Sequence, residues 1–349
     1  MPRRRPADVS RLGGRAHASA PKVTAHLRAS NTHSLLLNPP SAGARYGSRM
    51  SYRFSARKPV DVEFRAIALE QIALCHQAAQ SGDVDVPHEI RKHCKRLRAL
   101  LRLVRGSFSG HAREQRVVSQ AADELALLRD IAAQRETLTR LRQRDPQRYG
   151  VHELELADTW LADQQRSEAA THAQAAAVQR ALDLLDGQRH RVPDWTLQAK
   201  GFAALSDGLT HTYRQARRCL ALALEEPTAE HFHELRKHAK HHRFHMELLQ
   251  PLWKRPMQAA IEELELLGER LGEHHDLHVL ATTLADASRG TEGLDPVWLK
   301  EFVRPEMRRL ERRALYVARR AFAEKPSRFR ARLGAYWQVQ AKKGRRFAR

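Results

Sequence analysis

Two segments of the sequence repeat one arrangement of histidine, arginine and lysine: HEIRKHCKRLRALLRLVR from His88, and HELRKHAKHHRFHMELL from His233. Residues three and four apart share one face of a helix, so each segment predicts a helix with a basic stripe beside an apolar one. The first stripe consists of His88, Arg91, Lys95, Arg98 and Arg102. The second ends sooner, at Glu247, and consists of His233, Arg236, Lys240 and Arg243.

The density of positive charge in the first segment favours an anionic ligand. Residues 88–105 contain seven Lys or Arg against one carboxylate, Glu89, whereas a solvated helix face normally mixes both signs. Arginine pairs with phosphate through two parallel N–H bonds, and lysine supplies a point charge. Pro87 and Thr228 favour helix starts close to the two histidines, where free backbone N–H groups attract anions. We therefore predict phosphate binding that strengthens as the pH falls through ~6.5, because protonated histidine is cationic.

The two segments are related by a shift of 145 residues that aligns seven identities in eleven positions. A shared register of this kind predicts an internal duplication, with two four-helix bundles related by approximate twofold symmetry. Two stripes related in this way would line one groove, which suits a linear phosphate polymer better than a single nucleotide. Few aromatic residues accompany the stripes to stack on bases. Inorganic polyphosphate is therefore the first choice of partner, and nucleic acid the second.

The composition predicts an all-α protein, since Ala, Leu, Arg, Glu and Gln are abundant and aromatic residues make up only 6%. Amphipathic segments separated by Pro, Gly and Asp predict eight helices. They cover 61–81, 86–105, 111–143, 150–186, 197–225, 229–251, 255–286 and 296–324. The break at Gly187–Asp194 predicts a first bundle over 59–190 and a second over 191–337, followed by a basic tail, 338–349.

Residues 1–58 differ in composition from the rest of the chain. They contain twelve Lys or Arg against Asp8 alone, which leaves +10 of the total charge of +21 for the remainder. That remaining charge also indicates a polyanionic partner. The segment is rich in Arg, Ser, Pro and Gly and lacks helical periodicity, so we predict that it is disordered. A targeting peptide, and a stretch upstream of a true start at Met50, are the alternatives.

The cysteines and the hydropathy favour an intracellular protein. Cys75, Cys94 and Cys219 lack CxxC spacing, which indicates neither a disulfide framework nor a structural zinc site. No apolar run approaches the ~20 residues that span a bilayer. We expect a soluble cytoplasmic protein without a cofactor, and the oligomeric state is not predicted.

Two other chemistries compete for the histidines. A metal site is favoured by ligand types spaced three and four apart. These are His238, His241, His242 and His245, with His274, His275, Asp276 and His278 as further ligands. However, neighbouring Lys240 and Arg243 would repel a dication. A phosphohistidine enzyme is the second rival, but no P-loop glycines or paired acidic Mg²⁺ motif accompany the histidines. We expect a binding protein that is neither an enzyme nor a metalloprotein.

Residues 60–337 resemble the CHAD domain, the conserved-histidine α-helical domain that binds inorganic polyphosphate. The first half resembles the family in an HExRKxxKxLRxLLRLxR helix, in Arg116 and in the segment Leu128–Asp130. The second half resembles it in the residues Tyr213, Arg214, Arg217, Leu271, Gly272, Asp276 and Val279 and in HELRKHAKHHRFHMELL. The resemblance implies two four-helix bundles around a basic centre. Binding of the polymer would place the protein at polyphosphate granules.

The resemblance also implies which side chains hold the phosphate chain. The stronger candidates are His88, Arg91, Lys92, Lys95, Arg98, His233, Arg236, Lys237, Lys240 and Arg243, and the weaker ones are Arg102, Arg217 and Lys254. The chain departs from the family pattern at Ala126, where a small glycine is expected. His241 and His242 stand where the first copy has Arg96 and Leu97, which predicts that charge in the second half depends more on pH.

Overall fold

The structure is a computed structural model that describes residues 52–81, 85–125, 127–149, 152–165, 168–287 and 296–346. Within these ranges the regular structure is helical and contains no strand, so the predicted all-α class is confirmed. The helices are α1 (Val60–Gln80), α2 (Val86–Leu103), α3 (His111–Glu124), α4 (Leu127–Arg144), α5 (Pro146–Tyr149), α6 (His152–Gln165), α7 (Glu168–Arg191), α8 (Ala203–Glu225), α9 (Ala229–Leu249), α10 (Lys254–Ala287), α11 (Pro296–Ala321) and α12 (Pro326–Arg346). Short 3₁₀ turns cover Val192–Asp194 and Gln250–Leu252.

The structure divides two predicted helices and adds two, the short α5 and α12. The predicted 111–143 helix is α3 and α4, and the predicted 150–186 helix is α6 and α7. Helix α12 occupies residues 326–346, where the sequence predicted the end of the second bundle and a basic tail. Phe329, Leu333 and Trp337 lie four residues apart in α12 and are all buried, so one apolar face attaches this basic helix to the core.

All described residues belong to one compact unit, residues 48–349. The larger hydrophobic core contains residues from both halves of the chain, among them Ile90 and Leu97 of α2 and Leu235 and Leu248 of α9. A smaller core joins α4, α6, α10 and α11. The predicted boundary at residue 190 and the predicted duplication stay predictions.

The segment that precedes α1 packs against the core. Residues up to 51 of the predicted disordered segment lie outside the described residues. In contrast, Phe54 is fully buried, and its N–H donates to the carbonyl of Leu248 at 2.7 Å. The hydroxyl of Tyr52 donates to the carbonyl of Arg96 at 2.7 Å. Residues 52–54 therefore connect the C-terminal half of α2 with the C-terminal end of α9.

Helices α2 and α9, which carry the two basic segments, pack against each other and run antiparallel. Nε2 of His245 lies 2.9 Å from the carbonyl oxygen of Ala99. Arg96, a turn before Ala99, interacts electrostatically with Glu247, whereas Arg102, a turn after it, interacts with His241. Residue numbers thus rise along α2 as they fall along α9. The C-terminal halves of both helices meet, and their N-terminal halves extend away from the contact in opposite directions.

The starts of both helices agree with the sequence. Pro87 lies in the first turn of α2, and the side chain of Asp85 accepts from the N–H of His88 at 3.2 Å. Thr228 caps α9 by accepting from the N–H of His231 at 3.2 Å. The predicted positions of His88 and His233 near helix N-termini are therefore confirmed.

Gly208 allows α8 to contact the end of α2 directly. A Cβ at Gly208 would lie 2.2 Å from the carbonyl oxygen of Leu103 and 2.3 Å from that of Arg102. Both acceptors are backbone atoms, so a Gly208→Ala substitution forces the helices apart. We expect a loss of about 1–3 kcal/mol in the free energy of unfolding, measured by urea denaturation.

Gly268 of α10 provides the matched control, because a Cβ there meets nothing within 4 Å. Gly268→Ala should raise the free energy of unfolding by about 0.5–1 kcal/mol through helix propensity. Equal stability of the two variants would contradict the predicted contact.

Candidate anion-binding site

Cationic and histidine side chains from four elements surround Arg102. Arg98 and Arg102 lie on α2 and Arg105 directly follows it, while His111 begins α3, His211 lies on α8, and His238 and His241 lie on α9. All four histidines interact electrostatically with Arg102. We call these seven residues the central cluster.

The arginines of the central cluster repel one another in a partly buried environment. Burial, followed by the charges of Arg98 and Arg105, lowers the pKa of Arg102 to about 10. The Nε atoms of Arg98 and Arg102 are buried and make no hydrogen bond to any described residue. An arginine pKa is depressed only when its charge is poorly solvated and poorly compensated. In the free protein, the arginines of the central cluster therefore carry partly buried positive charge that a bound anion would stabilise.

The histidines of the central cluster are neutral near pH 7. Burial and then Arg102 lower the pKa of His238 to about 4. Burial and Arg105 lower that of His111 to about 4. The pKa of His241 is also well below its usual value, because the side chain is buried beside Arg102. These imidazoles offer N–H donors in the free protein, and a bound anion would favour their protonation.

His242 and His245 belong to the hydrophobic core. Burial lowers the pKa of His242 to about 3, and its ring packs against Tyr213 and Phe322. His245 is fully buried against Ala99. The four histidines of α9 that suggested a metal site thus occupy different environments. Within the described ranges, no three His, Cys, Asp or Glu side chains are grouped to hold one ion.

A second group, which we call the α10 cluster, consists of His233, Arg236, His275 and His278. The Nδ1 atoms of His233 and His275 lie 3.2 Å apart, so one ring donates to the other. Burial and then Arg236 lower the pKa of His275 to about 4. Arg236 lies close to α10, since a Cβ on Gly272 would be 3.6 Å from its Nη2. The predicted basic stripe of α9 therefore faces α10. His238 and His241, which lie beside this stripe on α9, face α2.

The remaining candidates of the first segment lie along α2. Arg91 donates to the carbonyl of Ala122 on α3 at 2.9 Å. Lys92 pairs with Glu89 at 2.8 Å. His88 and Lys95 are half-buried. These positions extend the positive charge from the central cluster toward the N-terminus of α2.

Several candidates of the second half are occupied by other contacts. Lys237 pairs with Glu234, in the same way as Lys92 pairs with Glu89. Arg243 pairs with Glu247 at 2.7 Å and with Glu265 at 2.6 Å.

Arg217 donates to the carbonyls of Phe322 and Glu324 near the end of α11. Lys240 is half-buried on α9, and Lys254 is exposed at the start of α10. The roles of all these residues in binding stay predictions.

The family model of the CHAD domain matches residues 66–285 of this chain, more than half of its length. The chain belongs to the CHAD domain family. This confirms the resemblance found in the sequence.

Two solved structures are similar to this CHAD domain. The crystal structure of the CHAD domain from the plant Ricinus communis has 19% sequence identity and a TM-score of 0.58, and the match covers 78% of this chain and 94% of that one. PptA from Streptomyces chartreusis has 16% identity and a TM-score of 0.52, with 76% and 100% covered. At this identity the likeness shows a shared fold. No curated protein matches the chain.

Sequence reasoning missed several members of the two clusters in this CHAD domain. Arg105 and His111 flank the α2–α3 turn, and His211 lies in α8, outside both repeated segments. The sequence suggested His238 and His241 as metal ligands, and His241 also as a pH-dependent charge, but not as ligands of the phosphate chain. The available signal was the surplus of histidine, 20 residues in all, but no local spacing relates His111 or His211 to Arg102. No helix in the described ranges combines the length and apolar character needed to cross a membrane.

Proposed function

We propose that this CHAD domain binds inorganic polyphosphate, with the central cluster as the middle of the binding site. The observation that carries the proposal is the environment of Arg102. Burial and two neighbouring arginines lower its pKa, and four histidines from three helices surround it. Such a group of cations is compatible with folding but is stabilised much further by an anion.

The antiparallel arrangement of α2 and α9 favours an extended polyanion. From the central cluster, positive side chains continue along α2 toward Arg91 and His88. In the opposite direction they continue along α9 toward the α10 cluster. An elongated site of this kind offers successive contacts to a linear polymer that carries charge on every unit. The cluster itself contains arginine and histidine without an aromatic platform, which favours polyphosphate over nucleic acid.

We also propose that the site binds polymer without catalysing its cleavage. Phosphoryl transfer uses acidic side chains that hold Mg²⁺ against the phosphates. Near the two clusters, Asp276 pairs with Arg140 and Glu234 pairs with Lys237. These two carboxylates thus compensate cations and do not form a pair with each other. A protein that holds the polymer in this way would collect at intracellular polyphosphate granules.

Calorimetric titration tests the proposal directly. Polyphosphate of defined length should bind with an affinity that increases with chain length until the site is filled. Pyrophosphate should bind weakly, and an oligouridylate of equal charge should not displace polyphosphate at matched salt. Displacement of polyphosphate by the oligouridylate, or no binding of polyphosphate, would contradict the assignment.

The affinity for polyphosphate should increase as the pH falls from about 7 toward about 5. In the free protein the pKa of His238 is about 4, and a bound anion raises it, so binding takes up protons over the interval between the free and bound values. The charged neighbours of His238 are Arg102 on α2, His211 on α8, and Glu234 and Lys237 on α9. The transition thus extends to lower pH than the ~6.5 expected from the sequence.

Each histidine whose pKa rises by one unit adds at most about tenfold in affinity. Proton uptake is measured by titration in buffers of different ionisation enthalpy. The variant His238→Gln with His241→Gln is the control, and it should reduce the uptake. Affinity that stays constant over this range would show that these histidines do not contact the phosphates.

A further inference from the structure

The outer face of helix α11 carries a row of arginines that neither cluster includes. The exposed residues from 304 to 320 are Arg304, Pro305, Arg308, Arg312, Arg313, Tyr316, Arg319 and Arg320. The two carboxylates of this stretch point away from the face. Glu306 is buried and pairs with Arg144, and Glu311 accepts from His274. Within the described residues, no ion pair involves Arg308, Arg312, Arg313 or Arg319.

The packing of α11 sets this face. Val303, Leu310, Ala314 and Val317 are buried, and α11 packs along α10. The arginines occupy the opposite side of the helix. Glu301 compensates Arg304 there, and the arginines further along the face outnumber this carboxylate. A solvated helix normally mixes signs at these positions, so the face is suited to an anionic partner.

One aromatic side chain interrupts the row. Tyr316 is 59% exposed, so its ring is accessible to a partner. The guanidinium of Arg320 lies 4.0 Å from the centre of its ring. An aromatic ring and a guanidinium are the two planar groups on which nucleic-acid bases stack.

We propose that the outer face of α11 binds single-stranded nucleic acid, with Tyr316 and Arg320 stacking on a base and the other arginines contacting phosphates. Residues four apart advance about 6 Å along a helix, so Arg308, Arg312, Tyr316 and Arg320 form a row about 18 Å long. This face does not depend on the proposed polyphosphate site, with which it shares no residue.

Other anionic partners fit the face less well. A membrane surface binds helices that insert an apolar side into the lipid, but the apolar side of α11 is buried in the protein. Polyphosphate would use the arginines and leave Tyr316 without a contact. Direct reading of duplex DNA would require a free helix or ribbon that enters a groove, whereas α11 is packed along α10.

The test measures binding of a fluorescently labelled oligouridylate by anisotropy at several salt concentrations. The variant Arg308→Glu with Arg312→Glu and Arg319→Glu should flatten the plot of log affinity against log salt by roughly two units of slope. Tyr316→Ala should weaken binding by about tenfold, and Tyr316→Phe should retain it. The charge-matched control Arg57→Glu with Arg189→Glu and Lys200→Glu changes three exposed residues elsewhere and should have little effect.

Two further measurements separate this face from the central cluster. Arg98→Glu with Arg102→Glu should leave oligouridylate binding nearly unchanged, and an abasic oligomer should bind wild type as weakly as the oligouridylate binds Tyr316→Ala. Equal binding of the abasic oligomer and the oligouridylate would overturn the stacking role. Loss of binding only in the central variant would overturn the proposed surface, as would tighter binding of duplex than of single strand.

Discussion

Replacement of Arg98 and Arg102 by glutamate should abolish retention of long-chain polyphosphate and leave the fold intact. The two arginines lie at the centre of the contact between α2 and α9, and Arg102 interacts with every histidine of the central cluster. Charge reversal places two carboxylates where the phosphates are expected. We expect a loss of at least about a thousandfold, since one truncated partner of a desolvated charge pair already costs about 2–5 kcal/mol. Retention on immobilised polyphosphate measures it, with circular dichroism to verify folding.

A single substitution separates loss of binding from loss of structure. Arg102→Gln removes repulsion from Arg98 and Arg105, so the free protein should gain up to ~1 kcal/mol in the free energy of unfolding while it loses affinity for polyphosphate. A residue with only a structural role would show the opposite sign, because its removal destabilises the protein. Arg57→Glu with Arg189→Glu, two exposed positions distant in sequence, serves as the control for net charge. Binding that survives in the Arg98→Glu, Arg102→Glu variant would refute the central cluster as the site.

Salt should weaken polyphosphate binding steeply. Each phosphate that the protein neutralises releases condensed counterions, so log affinity falls linearly with log salt. If the clusters and the stripe of α2 together contact about six to ten phosphates, an increase from about 50 to about 200 mM salt should reduce the affinity by roughly 10³–10⁵. Titrations at four or five salt concentrations give the slope.

The slope also tests the individual contacts. Arg98→Gln should reduce the slope of log affinity against log salt by roughly one. Lys254→Gln applies the same measurement to the weakest candidate, which lies at the exposed start of α10. A slope near zero would mean that hydrogen bonds to neutral groups dominate binding. Such a slope would contradict charge-driven binding even if polyphosphate bound tightly.

The contacts of Arg243 could not be predicted from the sequence. The 145-residue register makes it the equivalent of Arg98, and periodicity places both on basic stripes. In the structure Arg98 lies beside Arg102 and His241, whereas Arg243 pairs with Glu247 and Glu265. Glu265 lies on α10, more than twenty residues along the chain, and no local pattern relates the two side chains.

Helix α12 and the segment before α1 also differ from what their basic composition predicted. The basic composition of the last residues predicted a tail, but the apolar spacing of Phe329, Leu333 and Trp337 attaches α12 to the core. In front of α1, two buried aromatic residues at 52 and 54 attach an otherwise basic segment to the core. In both cases a few apolar side chains outweighed the average composition, because burial of each contributes about 1.5–3 kcal/mol.

The helical class, the starts of α2 and α9, and the basic side of each helix could be predicted from local sequence, because spacing and capping are local properties of the chain. Which sides of the helices meet could be seen only in the folded protein. The antiparallel contact that surrounds Arg102 with histidines of α3, α8 and α9 depends on long-range packing, such as that of Gly208 against the end of α2 and His245 against Ala99. Those contacts are set by the complementary shapes of distant apolar surfaces, which a one-dimensional pattern does not contain.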